Sequence, residues 1–168
     1  MNDLRIETVQ HLDVDVCTRL VLGNEPWIRL GYGPEDVAAI VRSVATSNLL
    51  LARSARQVVG FALSSSGMLC GEYLKILAVD ASNHGRGVGR QLMEELEKRA
   101  FATWPNVYLC VTDFNEGARA FYRRLGYEEV GVLSDLLIPG SGEVLMRKSI
   151  GAWRPYCRDS KTLRPRRQ

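Results

Sequence analysis

The chain has 168 residues, of which 46% are hydrophobic, which suits one ordinary domain with a real core. Its net charge is only +3, and the excess sits at one end: residues 151–168 hold six Lys or Arg and one Asp, so the first 150 residues are slightly acidic. A nucleic-acid or ribosome contact would rest on that tail alone, and no apolar run approaches the roughly 18 residues of a membrane helix.

Taken in order, Leu4 to Val9 alternates and reads as an edge strand. Residues 12–22 read as a helix with Val14, Cys17, Leu20 and Val21 on one face, broken by Gly23-Asn24-Glu25-Pro26-Trp27. Pro34-Glu35-Asp36 starts a second helix, with proline in the first turn and acids at the positive end. Its buried face is Val37, Ile40, Val41 and Val44. Residues 48–53 and 57–66 suggest a hairpin around Ser54-Ala55-Arg56, and Leu69 to Val79 a long strand. The next helix buries Val88, Leu92, Leu96 and Ala100. Asn106 to Thr112 reads as a buried strand. After a further helix, 127–134 and 143–149 close the sheet around Pro139-Gly140-Ser141-Gly142. The order β-α-α-β-β-β-α-β-α-β-β is an α/β pattern with a mixed sheet.

The four cysteines, Cys17, Cys70, Cys110 and Cys157, form no C-x-x-C pair, and Met1 to Arg5 shows no basic stretch leading into an apolar one. These features predict reduced thiols in a cytoplasmic protein. The two histidines, His11 and His84, lie far apart, which argues against a metal site or a Cys/His nucleophile.

Ile76 to Leu92 reads as a buried strand, a turn, a glycine-rich loop and the first turn of a helix. A helix N-terminus has unpaired N–H groups and a positive dipole end. Gly85, Gly87 and Gly89 let backbone amides approach a phosphate, and Arg86 and Arg90 add charge. The physical reading is a pyrophosphate cradle. A P-loop would need Lys-Ser/Thr where Arg90-Gln91 stand, and the G-x-G-x-G spacing fails the dinucleotide fingerprint. Alone, the loop is a weak signal, with a tight strand-to-helix turn as its alternative.

Asn115 to Tyr127 is a short helix with a cap at each end. Asn115 is a good N-cap, Ala118, Phe121, Tyr122 and Leu125 form one apolar face, and Gly126 ends it in the left-handed region. A strand, H-G-R-G-V-G, an amphipathic helix, a strand and then N-x-x-A-x-x-F-Y-x-x-L-G-Y stand in that order, the two motifs about 30 residues apart. Over roughly residues 3–149 the chain thus resembles the GCN5-related N-acetyltransferases (GNAT).

The resemblance implies a mixed sheet of about seven strands and four helices, with the neighbouring fourth and fifth strands splayed. The domain would span 1–150, with 151–168 a loose basic tail. Acetyl-coenzyme A would be the donor, with no metal. Its pyrophosphate would sit on His84, Gly85, Arg86, Gly87, Val88, Gly89 and Arg90, and its pantetheine arm on the backbone of Leu77, Ala78 and Val79 and on Asn115. An amide near Leu77 or Ala78 would bond the thioester oxygen. Tyr122 would protonate the departing thiolate. The family position of the general base falls at Tyr73. Glu72 is one residue off, on the other sheet face unless a bulge intervenes, with a water relay past Tyr73 as competitor. His84 stands where the family usually has Gln or Arg, and Arg86 and Arg90 would compensate. The loop 23–33 and the loop 135–142 would line the acceptor side. The acceptor would be a small-molecule amine or a peptide N-terminus, and nothing in the sequence chooses between them. A homodimer through a sheet edge or the last strand stays open. The alternative is a non-catalytic acyl-CoA-binding or regulatory module on the same fold.

Overall fold

The computed structural model describes residues 4–9, 13–43, 48–154 and 156. The chain runs β1 (Leu4–Thr8), α1 (Val14–Leu22), α2 (Pro34–Arg42), β2 (Leu49–Ser54), β3 (Gln57–Met68) and β4 (Gly71–Val79). It continues with α3 (Val88–Ala100), β5 (Asn106–Thr112), α4 (Glu116–Arg124), β6 (Glu128–Ser134) and β7 (Gly142–Ser149). The strands form one sheet in the order β1-β2-β3-β4-β5-β7-β6. The β4–β5 pair is parallel and its neighbours are antiparallel. This is the mixed α/β sheet that the sequence predicts.

Alternation along β2 shows how the layers form. Leu49 and Leu51 face α1 and α2, where they meet Cys17, Leu20, Val21, Val37 and Val41. Leu50 and Ala52 face the other way, toward Leu92, Met93 and Leu96 of α3. Both faces are therefore covered at β2 and toward the central parallel pair, while the edge strand β6 is exposed along its length.

Several boundaries differ from expectation for local reasons. Helix α1 starts at Val14 because the Asp13 carboxylate caps it, accepting from the amides of Asp15 (3.1 Å) and Val16 (3.2 Å). Leu69 and Cys70 take positive φ, 46° and 58°, and form the turn before β4 instead of its first residues. His11, Val44 and Cys157 lie outside the described residues. Trp153 stacks on Trp104 with ring centroids 5.3 Å apart, and the Tyr156 hydroxyl donates to the Phe101 carbonyl at 2.6 Å. The first turn beyond the sheet is thus docked on the end of α3.

The feature that makes room for a ligand is in the middle of the sheet. Parallel pairing of β4 with β5 runs from Gly71↔Asn106 to Leu74↔Leu109 and stops, although β4 continues to Val79 and β5 to Thr112. At the same place the β3–β4 register shifts: Leu63 pairs with Ile76 and Ser64 with Leu74, so Lys75 is an extra residue. Such a bulge sharpens the local twist, and the strands part there. It also reverses which residues face which layer. Beyond it Ile76 and Ala78 face α1 and α2, whereas before it Leu74 faces α3.

Candidate active site

The parted strands open a cleft of about 900 Å³. One end is the glycine loop. The Asp80 carboxylate caps a short turn at Ala81–Asn83, accepting from the Ser82 amide at 3.0 Å. The same Ser82 contacts hold its carboxyl below the ordinary range. Gly85 and Gly87 have φ of +72° and +81°, and a Cβ on either would meet nothing within 4 Å. The backbone there is both left-handed and open, which only glycine adopts without strain. Gly87 is the N-cap of α3 and supplies no side-chain bond, so the first amides of that helix are free for an anion.

Along the middle, the cleft wall is β4. Phe61 pairs with Ala78, and the Asp80 amide donates to the Val59 carbonyl at 2.8 Å. Alternation then turns the amides of Leu77 and Val79 toward the gap and that of Ala78 toward β3. Of the two amides expected to serve as oxyanion donor, that of Leu77 faces the gap and that of Ala78 does not. The Val79 carbonyl is already bonded, by Asn24 Nδ2 at 3.0 Å and His84 Nε2 at 2.9 Å. A carbonyl only accepts, so that nitrogen of His84 carries the proton. The imidazole ties the loop to the strand end.

Opposite β4, Asn115 caps α4, its Oδ1 accepting from the Ala118 amide at 3.1 Å. Asn115 lines the cleft. Tyr122 is 7% exposed, edge-on to Phe121 and Tyr127 at 5.0 and 5.6 Å. Burial pushes its phenol above the ordinary value, so it holds its proton.

Leu77, Ala78, Val79, His84, Gly85, Gly87, Val88, Gly89, Arg90, Asn115 and Tyr122 thus share one cleft, and two expected residues do not. Arg86 is exposed outside it, while Arg90 is bonded to Glu94 at 2.7 Å. Glu72 is the larger correction. It lies on the α3 side of the sheet, 6% exposed, accepting from Ser64 Oγ at 2.5 Å and Ser66 Oγ at 2.6 Å. The bulge that might have brought it to the acceptor side does the reverse. Without the extra residue at Lys75, Glu72 would share the face of Ile76 and Ala78; with it, Tyr73 takes that place.

The far end of the cleft holds a residue that sequence reasoning missed. Glu143 is the second residue of β7, pairs across the sheet with Thr112, and is 3% exposed. Its Oε1 has no hydrogen-bond partner among the described residues. Burial raises its pKa, a bond with Thr112 opposes that, and the charge of Asp113 adds to it. Burial also raises the phenols of Tyr73 and Tyr32, and the Glu143 charge adds to both. The only sequence signal was a carboxylate one residue into a strand whose next positions, Val144 and Met146, face the core. Trp27 and Tyr32, in T-shaped contact at 5.1 Å, and Leu136 and Leu137 complete this end.

The cleft is thus a slot between splayed parallel strands, with a helix N-terminus at one end and a buried tyrosine on its wall. A family model described as an acetyltransferase (GNAT) domain matches residues 45–129. The chain is 33% identical to the N-alpha-acetyltransferase RimI of Mycobacterium tuberculosis, over 79% of this chain and 82% of that one. It is 38% identical to an uncharacterized protein of Mycobacterium leprae, over 85% of this chain but only 40% of that longer relative. A solved aminoglycoside 6'-N-acetyltransferase, complexed with coenzyme A, superposes with a TM-score of 0.72 at 21% identity, over 88% of this chain and 98% of that one. The chain belongs to the GNAT acetyltransferase family and is an acyltransferase.

Proposed function

We propose that this protein transfers the acetyl group of acetyl-coenzyme A to a primary amine. The observation that carries the reading is the continuity of the cleft. Free helix-terminal amides, unpaired strand amides and a buried phenol follow one another along it, in the order a phosphate, a pantetheine arm and a thioester would need. Open space over Gly85 and Gly87 fits a phosphate pressed against backbone.

Acetyl-coenzyme A supplies a carbonyl activated as a thioester. The amides of Gly85 and of Gly87 to Arg90 would hold its pyrophosphate, and the Leu77 amide would stabilise the oxyanion as it develops. Asn115 would donate to the pantetheine arm. The Tyr122 hydroxyl, protonated throughout the neutral range, would give a proton to the leaving sulfur. The acceptor would enter from the side of Trp27, Tyr32 and Leu136.

Relatives point to two acceptor types, a protein N-terminus for the RimI relative and an aminoglycoside for the solved neighbour. A panel of peptides with free N-termini and of small amines, followed by coenzyme A thiol release, tests the reading. Release that depends on one class of acceptor supports it. Saturable coenzyme A binding with no release from any acceptor would favour the binding-module alternative.

A further inference from the structure

Glu72, Glu97 and Glu143 are the buried glutamates among the described residues. Two have evident structural partners. Glu72 accepts from two serine hydroxyls, and Glu97 receives Lys148 Nζ at 2.5 Å. Glu143 differs: it lines the cleft, one of its oxygens is unpartnered, and no cation is among the groups that shift it. A buried carboxylate without a counter-charge is costly unless something supplies one. What can reach it is whatever enters the cleft from the acceptor side.

The surroundings fit a cation. Tyr73 of β4, Tyr32 before α2, Cys110 and Asp113 of the β5 segment are the titratable groups coupled to Glu143. No cation is among them, so the local field favours positive charge. A primary amine is protonated there and must lose a proton before it can attack.

We propose that Glu143 receives the acceptor's ammonium group and removes its proton, making it the general base of the transfer. The inference rests on the acetyl-transfer reading. The Glu143 carboxylate takes one proton from the ammonium, freeing the nitrogen lone pair. That pair forms the C–N bond at the thioester carbonyl, and the C–S bond breaks with its electrons going to sulfur. Sulfur takes the Tyr122 hydroxyl proton. The surplus proton on the new amide nitrogen returns to the Tyr122 oxygen, and Glu143 gives its proton to solvent. Overall an ammonium and a thioester become an amide, a thiol and one released proton.

Thr112 and Glu143 face each other across β5 and β7, so the strand pair holds the carboxylate in place. Because Glu143 must be ionised to act, activity should fall as pH drops through its carboxyl pKa, which lies above the usual carboxylate value. In Glu143→Gln that acid limb should disappear. Its kcat/KM at neutral pH should drop about 100-fold or more, and activity should then climb with pH as the free amine fraction rises. The coenzyme A thermal shift should be unchanged, because the carboxylate lies at the other end of the cleft. Glu143→Asp should keep an acid limb at a reduced rate, which also covers loss of folding in the glutamine variant. Wild-type kcat/KM with an unaltered acid limb in Glu143→Gln would overturn the proposal. A wild type that turns over no acceptor would overturn the acetyl-transfer reading and this inference with it.

Discussion

Replacing Gly87 separates two effects that the cradle combines. Its φ of +81° is left-handed, and nothing lies within 4 Å of where a Cβ would be. Gly87→Ala therefore adds only backbone strain, about 1–2 kcal/mol. For a domain of this size that is a fall in Tm of about 2–8 °C. Gly87→Glu adds the same strain and a carboxylate beside the helix amides. Two like charges 4 Å apart repel by about 4 kcal/mol at an effective dielectric near 20. Solvent at this open site screens part of it, leaving about 2–3 kcal/mol, roughly a 100-fold loss of affinity for a pyrophosphate. The assay is the Tm shift on adding coenzyme A at about 100 times the wild-type Kd. Mass action gives the wild type about 2.7 kcal/mol, a rise of about 5–11 °C. Gly87→Glu, near its own Kd at that concentration, should gain only about 0.4 kcal/mol, or about 1–2 °C. Gly87→Ala should keep most of the shift. A full shift in Gly87→Glu would show that the phosphates lie elsewhere.

Tyr122→Phe keeps the packing against Phe121 and Tyr127 but removes the acid. Turnover should fall about 100-fold with the coenzyme A shift intact, and full activity would return Tyr122 to a purely structural role. Glu72→Gln should lower stability by about 1–3 kcal/mol, because Ser64 and Ser66 lose their charged acceptor, yet leave kcat and its pH profile unchanged. A lost acid limb in that variant would put Glu72 back in the mechanism. Trp153→Ala should lower Tm by about 1–6 °C through loss of the stack on Trp104, with turnover on a small amine kept; an unchanged Tm would show that the extension contributes nothing to the fold.

What could be read along the chain was local. The glycines of the cradle declare themselves because left-handed backbone is a property of single residues. Asn115 and Gly126 mark the ends of α4 through bonds reaching three or four positions. Helix faces at 3.6 and strand faces at 2 residues place Leu92 and Leu96, or Leu49 and Leu51, on the right layers. The order of elements follows from those signals, whereas the shared cleft of loop and tyrosine was implied only by the family resemblance that the two motifs carry together.

Tertiary structure decided the rest. One extra residue at Lys75 determines whether Glu72 or Tyr73 faces the acceptor, and a bulge is visible only in the pairing of β4 with β3. Asp80 and Val59 fix which β4 amides point into the gap, leaving Leu77 and not Ala78. Glu143 reaches the site because β7 inserts between β5 and β6, 31 residues after Thr112 yet beside it. Local propensity carries no information about which strands become neighbours. Register and insertion are settled by burial over the whole sheet, so a base carried on the last strand is legible only once that sheet is assembled.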